Sequence, residues 1–125
     1  MVELFKILAD ANRLRILNLL MNDKLLCVCE IEIILELSPS NALRHLSKLE
    51  DLGIITPIVE DEWIHYKINV KFKENNDLLF DFLYLKFKTN VIYLKDLNRY
   101  HKYKVNSLSC IVIEKDKNKV LNIIK

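Results

Sequence analysis

Leu37-Ser38-Pro39-Ser40-Asn41-Ala42-Leu43-Arg44-His45-Leu46-Ser47-Lys48-Leu49 is the stretch on which the fold turns. Serine is favoured just ahead of a helix because its hydroxyl accepts a free backbone N–H, and proline at the first helical position sacrifices no hydrogen bond. Ser38-Pro39 therefore predicts a helix starting at about Pro39. Ala42, Leu46 and Leu49, four and three residues apart, give that helix one inward stripe, while Ser40, Asn41, Arg44, His45, Ser47 and Lys48 lie on or near the opposite face. Gly53, the only glycine in the chain, stands where a left-handed cap would end the helix.

Working outward, the chain upstream reads as three further short helices. Leu4, Phe5, Ile7 and Leu8 make the first, and Asp10 is placed to cap a second that carries Leu14, Ile16, Leu17, Leu19 and Leu20. The third runs from about Val28 to Leu37, with Ile31, Ile34 and Leu35 facing inward. Downstream, residues 54–59 and 63–68 are rich in β-branched and aromatic side chains and flank Glu60-Asp61-Glu62, the pattern of a β-hairpin. From a cap at Asn76 or Asp77, an apolar helical pattern extends from Leu78 through Leu97, as one helix or as two broken near Thr89-Asn90. Residues 105–125 read as a strand around Ser109 to Ile113 followed by a short helix, or as a poorly ordered tail.

The fold class expected is mainly α with a small β-hairpin. Two short helices meet at a tight turn, Leu37-Ser38, and a hairpin follows, which is a winged helix-turn-helix, here with a long C-terminal helix suited to dimerisation. Residues 1–72 form the winged helix-turn-helix part, 73–104 the helical dimerisation segment, and 105–125 an extension without an assigned role.

Composition narrows the classes. With 51% hydrophobic and 29% charged residues the chain is globular, and so large an apolar share in 125 residues predicts a partner surface, a second copy of the chain. A net charge of +2 does not by itself announce a nucleic-acid binder, so a focused basic patch has to provide the attraction. No apolar run reaches the ~18 residues of a membrane span, and Met1-Val2-Glu3 shows no basic leader, so no membrane partner is expected. Three cysteines, two of them separated by one residue, suit reduced thiols in the cytoplasm better than a disulfide. There is no Gly-rich phosphate loop, no His-Glu-x-x-His and no nucleophile elbow, and an enzyme is not expected.

The second helix of a helix-turn-helix enters the major groove with its N-terminal residues near base edges. Arg44 can fork onto guanine, Asn41 can pair with adenine, and Ser40, Ser47, Lys48 and His45 can hold phosphates. Ser38 belongs to the same helix start. The partner read from these residues is double-stranded operator DNA; a winged helix that instead docks another protein through this face is the rival reading.

Five collinear pieces of the chain resemble the ArsR/SmtB family of arsenic- and metal-responsive repressors. They are the run from Phe5 through Asp10-Ala11-Asn12-Arg13 to Leu17, Leu26-Cys27-Val28-Cys29-Glu30-Ile31, Arg44-His45-Leu46, Gly53, and Trp63-Ile64-His65-Tyr66, within residues 3–70. The resemblance implies a homodimer built from the first and the long C-terminal helices, bound at an operator and released when an inducer binds. Leu43 stands where the family has a serine, which exchanges a hydrogen bond for an apolar contact such as a thymine methyl. Glu60-Asp61-Glu62 replaces the family's glycine and basic wing tip and would be repelled by phosphates. The family's second metal site, on the C-terminal helix, is not supplied by residues 96–101, and His101 and His65 read as a solvated residue and a hairpin residue.

Cys27 and Cys29 are the sharpest chemical feature, since thiolates are soft ligands that select thiophilic ions. On a regular helix of 3.6 residues per turn they would point about 200° apart, so they converge on one ion only if the start of the third helix is unwound. In the arsenic-sensing branch the resemblance places a third cysteine where this chain has Glu32. The remaining donor is then Cys110, from the same or a partner subunit, or Glu32 as an oxygen ligand suited to zinc or cadmium, or none. The inducer is arsenite or antimonite, or cadmium or zinc, and no cofactor is obligatory. Two alternatives stay open for the same thiols: buried small hydrophobes with no ion input, and a redox switch.

Overall fold

Capping side chains set where five of the nine helices begin, and the expected cap at Asn76 or Asp77 is not among them. In the computed structural model, which describes all of residues 1–125, α1 (Val2–Leu8) is followed by Asp10, whose carboxylate accepts from the backbone N–H groups of Asn12 and Arg13 at 2.9 and 3.1 Å and opens α2 (Ala11–Asn22). A two-residue strand, β1 (Leu26–Cys27), leads directly into α3 (Val28–Leu35). Glu36, in the left-handed conformation at φ 56°, ends α3. Ser38 then accepts from the Asn41 N–H at 3.3 Å and opens α4 (Pro39–Asp51), as its sequence predicts. At the far end the Gly53 N–H reaches the Glu50 carbonyl at 2.8 Å and the Ile54 N–H that of Leu49 at 3.0 Å, with Gly53 at φ 76°. This paired closure needs a left-handed residue, which glycine adopts without a steric cost.

The wing is β2 (Ile55–Glu60) and β3 (Trp63–Ile68), antiparallel, with Glu60 opposite Trp63. Asp61 and Glu62 both have positive φ, the geometry of the two-residue hairpin turn whose twist matches its strands. β1 pairs on the other side of β3, giving the order β1-β3-β2, with Leu26 opposite Tyr66 and Cys27 opposite His65. Two residues carry no periodicity, so nothing local announces this third strand.

Beyond the wing, Asn69 accepts from the Phe72 N–H at 3.1 Å and starts α5 (Val70–Asn75), a helix the periodicity did not reveal. α6 (Asp77–Thr89) and α7 (Val91–Val105) are separate helices, split at Asn90, whose side chain caps the second through the Ile92 N–H at 3.0 Å. The expected strand near 109–113 is not formed. Residues 110–124 are two short helices, α8 (Cys110–Lys115) and α9 (Lys117–Ile124), the second capped by Asp116, which accepts from the Lys119 N–H at 3.1 Å. The apolar run Cys110-Ile111-Val112-Ile113 suits either structure locally. A strand would have had to pair with a two-residue β1 or with β2, which carries Pro57, whereas as helices the segment buries Ile113, Val120 and Ile124 in the core.

α3 lies at the centre. Ile31, Ile33, Ile34 and Leu35 are all fully buried and share one apolar cluster with Ile16 and Leu19 of α2, Leu46 and Leu49 of α4, Tyr103 of α7 and Val120 of α9. Its last carbonyls, which have no partner within the helix, are taken by two arginines. Arg99 donates to Ile34 O at 2.6 Å and Ile33 O at 3.0 Å, and Arg15 donates to Leu35 O at 2.9 Å. Arg15 in turn forms a two-pronged pair with Asp96 at 2.8 and 2.9 Å, which ties α2 to α7. The Asp96 side chain is only 4% exposed. Asp96→Ala is therefore expected to destabilise the fold by about 3 kcal/mol, the scale seen when one partner of a buried pair is removed, measured as a lower urea midpoint at unchanged slope. A loss below about 1 kcal/mol, the worth of an exposed pair, would show that α7 is held otherwise.

Candidate nucleic-acid interface and thiol centre

α4 presents an exposed polar and basic face. Ser38, Ser40, Asn41, Arg44, Ser47 and Lys48 are exposed, as is Leu43, while Ala42, Leu46 and Leu49 point into the core. Arg44 Nη2 lies 3.5 Å from Asn41 Oδ1, and the Ser40 hydroxyl 3.5 Å from that of Ser38, which also caps the helix. The face is thus a fork-shaped cation, an amide and hydroxyls around one helix start, a set able to meet base edges and phosphate oxygens.

His45 is the exception and corrects the expectation that it holds phosphate. Its side chain is 1% exposed, and Nδ1 lies 3.1 Å from Arg13 Nη1 of α2. Arginine can only donate, and Arg44 Nη2 also lies 3.4 Å from Nε2, so the neutral ring accepts from one of two guanidiniums, the nearer contact being that of Arg13 at Nδ1. Arg13 also donates from Nε to the Ile7 carbonyl and lies near Asp10, so one buried guanidinium links α1, α2 and α4. Position on a helical wheel placed His45 near the polar edge; the neighbouring α2 covers that edge.

Cys27, Cys29 and Cys110 come together, with all three Sγ atoms within 4.8 Å of one another. Cys27 stands outside α3 in extended conformation, φ −72° and ψ 152°, and Cys29 lies in the first turn. Their sulfurs meet at 3.2 Å because Cys27 lies outside the helix, so the divergence of two positions on a regular helix, about 200°, does not arise. Cys110 opens α8 and arrives from the same chain. Two sulfurs each about 2.3 Å from one ion can stand no more than about 4.6 Å apart, so three thiols this close need little adjustment to share a soft ion. Glu32 lies outside the sulfur group.

The thiols are electrostatically unequal. Cys29 donates to the Cys27 sulfur, and this bond outweighs burial and, with help from Cys110, brings the Cys27 pKa down to about 6. The same bond raises Cys29, whose proton it holds, and burial pushes Cys110 up to about 12. Of the three, Cys27 is the thiol whose charged form these contacts favour, at the positive end of α3.

Two supporting residues went unnoticed in the sequence. Glu30 accepts from the Cys27 N–H at 2.9 Å with one oxygen and from the Tyr103 hydroxyl with the other, fixing the thiol loop to α7. The spacing of Cys27 and Glu30, a helix-start residue and a glutamate three on, is a legible capping signal; Tyr103 carries none, since only the fold brings α7 to this point.

Known proteins match part of the chain. A model of a family described as bacterial regulatory protein, arsR family, matches residues 10–56, from the Asp10 cap into β2. The chain is 38% identical over 68 residues to the arsenical resistance operon repressor of Escherichia coli K12, covering 54% of this chain and 58% of that one. It is likewise 38% identical over 68 residues to the cadmium resistance transcriptional regulatory protein CadC of Listeria innocua, covering 54% and 57%. The matches span less than two thirds of these relatives. Among solved structures, reduced HlyU from Vibrio cholerae N16961 is similar with a TM-score of 0.55 and 32% identity, covering 65% of this chain and 85% of that one.

The buried imidazole makes stability depend on pH. Burial chiefly, with Arg44, Arg13 and Lys48 assisting and Asp10 opposing, lowers the His45 pKa from its ordinary 6.5. The unfolded chain then takes up this proton first, so stability is full above about pH 6.5 and declines below it, by up to about 1.4 kcal/mol per pH unit until the folded pKa is reached. Urea unfolding between about pH 7 and pH 5 should show a steeper loss for the wild type than for His45→Asn, whose amide oxygen can still accept from Arg13. Parallel curves would mean that His45 is not the group responsible.

Proposed function

The chain belongs to the arsR family of bacterial regulatory proteins, and on that premise we propose that it is a homodimeric transcriptional repressor that leaves its operator when a thiophilic ion binds its cysteines. The observation that carries this reading is the placement of the thiol group at the head of α3, whose body packs directly on α4. An ion drawing Cys27, Cys29 and Cys110 together pulls α8 onto α3, and α3 transmits the strain to the helix that carries Arg44. The relatives named for arsenic and cadmium resistance support arsenite or cadmium as the ion, and antimonite and zinc share their affinity for thiolates.

DNA contact is assigned to Ser38, Ser40, Asn41, Leu43, Arg44, Ser47 and Lys48, with His45 supporting the helix from within. The wing tip, Glu60 to Glu62, keeps away from phosphates. Exposed apolar side chains on α1, α6 and α7, among them Phe5, Phe82, Leu85 and Ile92, provide the surface for a second copy of the chain. No helix is long and apolar enough to cross a membrane. Two recognition helices in such a dimer meet successive major grooves about 34 Å apart.

Gel-shift titration on DNA from upstream of the protein's own coding sequence, under reducing conditions, tests the reading. Retardation should be released by at least one of arsenite, antimonite, cadmium and zinc, and should persist with every ion in the Cys27→Ser/Cys29→Ser double variant. Arg44→Ala should weaken binding by about 1–3 kcal/mol, the value of a good base contact. Absence of a retarded band at any protein concentration would overturn the DNA-binding assignment, and a band indifferent to all four ions would overturn the ion response alone.

A further inference from the structure

The wing places a nitrogen donor beside the strand that carries Cys27, outside the sulfur group itself. Cys27 and His65 are direct partners in the β1–β3 ladder, and opposed residues in a ladder project from the same face with Cβ atoms about 5 Å apart. A recess of about 330 Å³ is lined by His65 and Cys110 together, along with Trp63 and Glu30. His65 Nδ1 lies 3.3 Å from the Trp63 carbonyl. Donating there leaves the lone pair on Nε2, which is the tautomer and the carbonyl support found for metal-bound histidines. The ring lies outside the 4.8 Å sulfur group, so ligation requires a side-chain movement as the ion arrives.

Charge selects among ions. Glu30, Glu60 and Asp61 all border the recess. Arsenous acid is uncharged at neutral pH and is indifferent to such a field, whereas a dication is drawn by it. Three sulfurs complete the shell of trivalent arsenic; zinc and cadmium take four donors in a tetrahedron. The acidic wing tip, unsuited to phosphate, is suited to a cation.

We propose that His65 is the fourth ligand of a site with Cys27, Cys29 and Cys110, and that this site selects a divalent thiophilic cation, zinc or cadmium, over arsenite. The inference rests on the reading that the thiols bind an ion. The hydrated ion sheds its water ligands as three metal–sulfur bonds and one metal–nitrogen bond form, the protons still on the thiols pass to solvent, and no oxidation state changes. A four-coordinate ion ties the wing strand to α3 and α8, which a three-sulfur ion does not.

The test is titration of the reduced protein, without DNA, with zinc, cadmium, cobalt(II) and arsenite, followed by thiolate-to-metal and thiolate-to-arsenic absorption. His65→Ala should lower zinc and cadmium affinity ~10-fold or more, since even a residue behind a ligand is worth that much, and should leave arsenite affinity unchanged. Cys110→Ser should weaken all of them. In the unaltered protein, the His65 ring nitrogen resonances should shift on zinc addition and stay in place with arsenite, a readout independent of how the variant folds. Cobalt should show the intense visible bands of a four-coordinate site in the wild type and lose them in His65→Ala. Equal zinc and cadmium affinities with unmoved His65 resonances would overturn the proposal while leaving a three-sulfur sensor standing. No thiolate-to-metal or thiolate-to-arsenic absorption at all would overturn both.

Discussion

The packing around the thiols and α4 depends on α3 being held at both ends. At its C-terminal end Arg15 and Arg99 reach in from α2 and α7 and satisfy the carbonyls of Ile33, Ile34 and Leu35. At its N-terminal end Glu30 grips the Cys27 amide with one oxygen and Tyr103 with the other. α3 contributes no DNA-facing residue of its own, yet it stands between the thiols and α4 and cannot move without breaking charge-assisted bonds at one end or the other. A helix so constrained has few ways to respond to a force at its head, as the proposed coupling of the thiols to α4 requires.

The thiol centre and the wing are parts of one arrangement. β1 is only Leu26–Cys27, and its pairing with β3 places Cys27 opposite His65 and within one strand of the acidic turn. The same short strand leaves Cys27 outside α3, which lets its sulfur meet that of Cys29 at 3.2 Å rather than diverge around a helix. Residues 105–125 have a comparable double use. α8 and α9 close the core with Val120 and Ile124, and in doing so deliver Cys110 to the other two sulfurs.

Where the sequence misled, a neighbour in space was responsible. Helical position assigns His45 to the polar edge of α4, and burial against Arg13 overrides it. Ser109 to Ile113 has the β-branched content of a strand, and the absence of a usable sheet edge turns it into a helix. The Cys27–Glu30 spacing is that of a capping pair, whereas the role of Tyr103 exists only across the fold.

Short-range physical chemistry, readable from one stretch of chain at a time, determined the helix starts at Asp10 and Ser38, the stop at Gly53, the wing hairpin and the exposed basic face of α4. Each depends on residues within a few positions of one another, through capping bonds, periodicity or a required φ. The third strand, the burial of His45, the helical end of the chain and the meeting of Cys110 with Cys27 and Cys29 were decided by the tertiary structure alone. They depend on contacts between residues tens of positions apart, whose free energy belongs to the packed core and leaves no trace in local sequence.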